Sequence, residues 1–211
     1  LLRRQMVRKA RKPLVVMSPK SLLRHPKCVS TLSDLAQGQF EKILEYCHSK
    51  TNDFDPSVVE HVVFCSGKIY YDLLEHREMI NRYQSTDATE KEKVANYLRK
   101  FGSYRVLERL ENGEIINTDR VNIVRLEQLY PFPEAEIQVQ VSQFKNPVIH
   151  WCQEEPKNMG AWPMVDEWFS DLLDARIVNY IGRKRSASPA TGSPKVHKAE
   201  QANIVQTVFE Q

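Results

Sequence analysis

The residues of this chain that could do chemistry fall in a few short stretches. Ser66-Gly67-Lys68 follows an apolar run and precedes a helical pattern. Backbone amides at such a helix start, with the Lys68 ammonium beside them, can meet an anion. Ser18 to His25 makes a second turn of this kind and offers Lys20, Ser21 and Arg24 to a phosphate or carboxylate. Both stretches also read as capped turns with no ligand, the simpler reading at Ser66 and an even alternative at Ser18, with Ser66 and Ser18 serving as N-caps. Gln153 to Trp162 carries the adjacent acids Glu154 and Glu155, with Asn158 nearby, beyond the expected end of a strand. Open α/β sheets place ligand and interface loops there. Neighbouring side chains of an extended chain point to opposite sides, so Glu154, Glu155 and Asn158 are read as a domain-interface loop and not as an acid and base pair. The basic run Gly182 to Pro189 reads as a solvated loop, with contact to a phosphate as the alternative.

No catalytic set is legible. The six histidines, His25, His48, His61, His76, His150 and His197, show neither HExxH nor other metal-ligand spacing, and GxSxG, GxGxxG and GxxxxGK[ST] do not occur. Catalytic residues and a metal site are therefore assigned to none. Cys28, Cys47, Cys65 and Cys152 form no CxxC pair, and buried free thiols in a reducing compartment are the expectation. Thirty basic against twenty-seven acidic residues leave a net charge of +3, too balanced to indicate nucleic-acid binding. No apolar run approaches the roughly 20 residues that span a bilayer. A soluble, intracellular protein is expected.

The elements that must position these residues can be read from periodicity. Pro13-Leu14-Val15-Val16-Met17, His61 to Cys65, Val121 to Leu126, Pro147 to Cys152 and Arg176 to Ile181 read as strands. Helical patterns run from Ile69 to about Arg82, Glu134 to Phe144, Trp162 to Leu173 and Lys195 to Phe209, the last with Val196, Ala199, Ile204, Val205 and Val208 as its apolar stripe. Alternating strands and helices predict a mostly parallel sheet covered on both faces. The interval from about Met79 to Asp119 breaks the rhythm. Thr86 to Lys100 reads as a helix, and Asn112-Gly113 between strand-like residues reads as a hairpin turn, so a helix plus hairpin insertion at about 79–119 is expected. Leu1, Leu2, Met6 and Ala10 sit at near-helical spacing, as if the chain opened within a helix of a longer protein.

Five stretches, taken in order, are more specific than any one: RKPLVVMSPKSLLRHP at 11–26, CSGKIYYDL at 65–73, VRLEQLYPFP at 124–133, WCQEEPKNMGAW at 151–162, and SASPATG with Val196-His197 at 186–197. Together they resemble the C-terminal region of the 2-oxoglutarate dehydrogenase E1 family, over the whole chain except about 79–119. The resemblance implies a transketolase-type C-terminal domain: a three-layer α/β fold, its mostly parallel sheet with one antiparallel strand flanked by helices, over 13–211. Residues 1–12 would end a preceding pyrimidine-binding domain.

The parent enzyme implied is a bacterial cytoplasmic, or alternatively mitochondrial-matrix, homodimer. It decarboxylates 2-oxoglutarate on thiamine diphosphate and Mg²⁺, bound outside this chain, and passes the succinyl group to the lipoyl arm of the E2 dihydrolipoyl succinyltransferase, in a complex that also holds E3. The partners implied are the preceding E1 domains, the second E1 subunit, E2 and E3, with no nucleic acid and no membrane. Some family members bind AMP or acetyl-CoA, and such an effector contact would fall on Lys20, Ser21, Arg24, Ser66 and Lys68. The rival expectation is a free-standing regulatory module for a nucleotide or acyl-CoA.

Overall fold

A computed structural model describes residues 2–45, 55–173 and 177–211. Cys47, His48 and Arg176 lie outside the described residues. By internal contacts the chain divides into two units, residues 1–42 and 43–211.

The first unit holds α1 (Leu2–Val7), a 3-10 turn (Lys20–Arg24) and α2 (Leu32–Gln37), none of which has a buried residue. A capping box fixes α2: Thr31 Oγ1 accepts from the Asp34 amide at 3.1 Å and Asp34 Oδ2 accepts from the Thr31 amide at 2.9 Å. Pro13–Met17, expected as a strand, has no regular structure and lies exposed. A strand exists only through its ladder, and the sheet takes no strand from this segment. The expected cap at Ser18 is likewise not formed, since Pro19 holds that position with no side-chain bond.

The second unit is a five-stranded sheet in the order β1-β3-β2-β4-β5, formed by β1 (Ile43–Glu45), β2 (His61–Cys65), β3 (Val121–Leu126), β4 (Val148–Pro156) and β5 (Val178–Arg183). Only β1 runs antiparallel, against β3; the other pairs are parallel. The helices are α3 (Ile69–Ser85), α4 (Ala88–Phe101), α5 (Tyr104–Glu111), α6 (Glu134–Ser142), α7 (Trp162–Leu172) and α8 (Pro194–Val208). The central strand β2 reads His-Val-Val-Phe-Cys and is buried along nearly its whole length, the continuous apolar run that a parallel strand covered on both faces requires. Val62, Phe64, Val124, Leu126, Ile149 and Trp151 face one side, against Ile137 and Val141 of α6 and Val165 and Phe169 of α7. The alternate residues face the side of α3 and α8. This is the expected three-layer α/β body with one antiparallel strand.

Three expectations about elements change. The interval 104–116 is not a hairpin: Tyr104–Glu111 is helical, burying Val106, Leu107 and Leu110. Asn112-Gly113 ends that helix, with Gly113 at φ 83°. The pair serves as a helix C-cap as readily as a hairpin turn, because both need a residue in the left-handed region. The strand-like segment after it is held by a side chain, as the Ile116 amide donates to Gln84 Oε1 at 2.7 Å and Gln84 Nε2 donates to the Ile116 carbonyl at 3.1 Å. β4 extends to Pro156, so Gln153 to Glu155 are strand and not exit loop; pairing with β5 as far as Pro156 and Arg183 carries it on. In α8, Val196 and Ala199 are exposed, and the buried face is Gln201, Ala202, Ile204, Val205, Gln206 and Val208. Gln206 belongs there because its Oε1 accepts from the Arg105 amide at 2.9 Å, doing for α5 what an N-cap side chain would do.

Candidate functional site

The topology singles out one place. From β2 the chain crosses to β3 on one side and later returns to β4 on the other, so successive connections diverge between β2 and β4. In open α/β sheets the crevice outside the carboxyl ends of the strands at such a point is where ligands bind. Here Lys68, just past β2, meets Glu154 of β4 at 3.0 Å and Asp72 of α3 at 2.6 Å. Gln201 of α8 closes the cluster, its Nε2 donating to Asp72 at 2.7 Å and to Glu154 at 2.9 Å. Burial alone would lower the Lys68 pKa, but the two carboxylates outweigh it and raise the value, so Lys68 stays charged. The turn before it is open, Gly67 at φ +74° having nothing within 4 Å of a Cβ position. Ser66 is not the N-cap of α3; Lys68 occupies that position and no side chain caps the amides.

Beside this cluster lies a cavity of about 410 Å³. Lys68, Asp72 and Gln201 form its polar end, Tyr97 and Phe101 of α4 a wall, and Lys100, His197 and Lys198 its exposed rim. The Tyr97 and Phe101 rings are nearly parallel, 16° apart with centroids at 6.3 Å. Burial, with Glu75 adjacent, raises the Tyr97 pKa. Behind the wall His76 is buried, its ring 5.7 Å from those of Phe101 and Phe209. Neither of its nitrogens has a hydrogen-bond partner among the described residues, and burial pushes its pKa down to about 3.

The expected site residues are distributed as follows. Lys20, Ser21 and Arg24 lie exposed in the 3-10 turn of the first unit. Ser66 and Lys68 sit at the switch point, where Lys68 is brought to Glu154. Glu155 is exposed, and its carbonyl accepts from Tyr180 Oη at 2.9 Å. Asn158 ties its loop to the basic run: Nδ2 donates to the Ser186 carbonyl at 2.9 Å and Oδ1 accepts from the Ser186 amide at 3.0 Å. Arg183 is occupied inside the fold, donating to the carbonyls of Glu154 at 2.7 Å and Pro189 at 2.6 Å and to Thr191 Oγ1 at 2.8 Å.

Sequence reasoning missed Gln153. Its buried Oε1 accepts from Trp151 Nε1 at 2.8 Å and the Trp162 amide at 3.1 Å, while Nε2 donates to the Met159 carbonyl at 2.7 Å. A polar residue ending an apolar strand run was the available signal.

The other buried groups with chemical potential are held in their neutral forms. Burial pushes the Cys65 thiol up to about 12 and the Cys152 thiol well above its ordinary value; Cys28 is exposed. His61 Nδ1 and His150 Nε2 lie 3.1 Å apart, and burial, with His61 beside it, lowers His150 to about 4. Among the described residues no group of three His, Cys, Asp or Glu side chains could hold a metal ion. The Asp72 and Glu154 carboxylates, already met by Lys68 and Gln201, do not fit a Mg²⁺ diphosphate centre.

The family model described as 2-oxoglutarate dehydrogenase C-terminal matches residues 29–100 and 90–209, and so crosses the 79–119 interval that the sequence reading set apart. The 2-oxoglutarate dehydrogenase E1 component of Cupriavidus necator is 38% identical over 211 residues, covering 99% of this chain and 18% of the relative. Those of Azotobacter vinelandii and Haemophilus influenzae are 37% and 36% identical, over 99% and 98% of this chain and again 18% of each relative. The chain thus spans about a fifth of the length of these relatives. From the switch-point α/β sheet to the sequence match across it, the chain belongs to the 2-oxoglutarate dehydrogenase C-terminal family.

Proposed function

We propose that this chain is the C-terminal, non-catalytic part of a 2-oxoglutarate dehydrogenase E1 component. In this reading the whole enzyme decarboxylates 2-oxoglutarate with thiamine diphosphate and Mg²⁺ held by its other domains, and delivers the succinyl group to E2 within a complex containing E3. The observation that carries the reading is the family match through 29–209, against relatives more than five times as long. The chain's own work is to support the catalytic domains and the E1 dimer from a rigid body, in which the Lys68-Asp72-Glu154-Gln201 cluster and the Gln153 hub fix the strand ends. The buried, protonated thiols Cys65 and Cys152 suit a reducing compartment, taken here as the bacterial cytoplasm. Full-length enzyme should turn over 2-oxoglutarate and the isolated chain should not; turnover by the isolated chain would overturn the assignment.

A regulatory contact for AMP or acetyl-CoA on Lys20, Ser21 and Arg24 of the first unit is part of the same proposal. Calorimetric titration of the full-length enzyme should give binding heat that Lys20→Ala diminishes. An unchanged effector response in that variant removes the assignment.

A further inference from the structure

We propose that the cavity between α3, α4 and α8 is a binding site for a small organic anion: a flat apolar body carrying a phosphate or carboxylate group. It shares no residue with the effector contact proposed above and does not depend on that contact or on the parent activity.

Size and position come first. At about 410 Å³ the cavity falls in the range of small-molecule sites. It opens beside the carboxyl ends of β2 and β4, where the connections diverge. The chemistry of its wall then selects the ligand. The near-parallel rings of Tyr97 and Phe101 offer a surface against which a planar group can pack in offset or edge contact. The one acid among the described lining residues, Asp72, is already bonded by Lys68 and Gln201. Lys100 and Lys198, exposed on the rim, have no ion pair among the described residues. Lys68 answers both Asp72 and Glu154, so the polar end carries one net negative charge and the positive charge of the cavity lies at its mouth, on Lys100 and Lys198. A ligand that seats its ring on the α4 wall would present its anionic group to Lys100 and Lys198, with His197 alongside. Glu154 and Glu75 lie behind this lining, the first paired with Lys68 and the second beside the Tyr97 hydroxyl; they disfavour an anion placed deep and so fix the charged end outward.

The test is calorimetric titration of the full-length protein with phenyl phosphate, benzoate, inorganic phosphate and phenol. Phenyl phosphate or benzoate should bind saturably, the tighter of the two identifying the preferred head group. Inorganic phosphate and phenol, each lacking one half of the ligand, should bind at least tenfold more weakly. The double variant Lys100→Glu, Lys198→Glu should lose at least tenfold in affinity while keeping its melting temperature, and Lys184→Glu, an exposed lysine off the cavity, should bind as the parent does. Absence of saturable binding by both aromatic anions, equal affinity for inorganic phosphate, or unchanged affinity in the double variant would each overturn the proposal.

Discussion

At the scale of single residues, side chains that sequence inspection offers to ligands are largely engaged with the chain itself. Lys68 answers Asp72 and Glu154, Arg183 answers the Glu154 carbonyl of β4 and two oxygens of the loop that follows β5, and Asn158 bonds both backbone groups of Ser186. The residue holding most together is Gln153, whose amide satisfies one indole and one backbone N–H while donating to the carbonyls around Met159. Replacing it by leucine strands two buried donors, each at a cost of about 1–3 kcal/mol. Gln153→Leu should therefore lose about 2–4 kcal/mol in urea denaturation, with a change in tryptophan fluorescence of the native state from the environment of Trp151 and Trp162. A loss below about 0.5 kcal/mol would show that water or a rearranged loop replaces these bonds.

At the scale of elements, the long crossover from β2 to β3 is where sequence and structure part. It consists of α3, α4 and α5 and contains no hairpin. Its corner is set by Gly102, which ends α4 at φ +103° and whose Cβ position lies 3.2 Å from Ala202 Cβ of α8. Both features favour glycine: a side chain there is strained by the left-handed backbone and crowded by α8. Gly102→Ala should cost about 1 kcal/mol or more, measurable as a lowered unfolding midpoint. Gly113→Ala, with φ +83° but open space around it, should cost only the backbone part, about 1 kcal/mol or less. If the order of the two were reversed, the close approach of α4 to α8 would not hold.

For the molecule as a whole, the buried histidines make folding sensitive to acid. His76 and His150 have pKa values lowered by burial to about 3 and about 4 from an ordinary 6.5. The unfolded chain then binds more protons than the folded one below about pH 6.5, so stability is full above that value and falls as pH drops toward the folded-state values. At pH 5 each buried neutral histidine accounts for a loss of about 2 kcal/mol relative to pH 7.5. His76→Leu should shrink the stability difference between pH 7.5 and pH 5 by up to about that amount, as read from denaturation midpoints at the two values. An identical pH dependence in parent and variant would mean that His76 is hydrated or paired in solution.

The sequence by itself determined the layer architecture and the family. Apolar runs such as His61 to Cys65, followed at once by a turn and a 3.6-residue pattern, mark buried strands with helices covering the sheet, and five motifs in fixed order are specific enough to name relatives. Local signals failed where one residue pattern serves two geometries. Asn112-Gly113 caps a helix or turns a hairpin, Pro13–Met17 makes a strand only if a partner is present, and Val196 looks apolar on a helix that buries Gln201 and Gln206 instead. The site depended still more on tertiary structure. Lys68 and Glu154 are far apart in sequence, and only the parallel register of β2 and β4 brings them to 3.0 Å. Gln201 and the lysines of the rim come from helices whose meeting no local pattern records. Periodicity reports which face of an element is buried; what that face touches is decided by the packing of the whole chain.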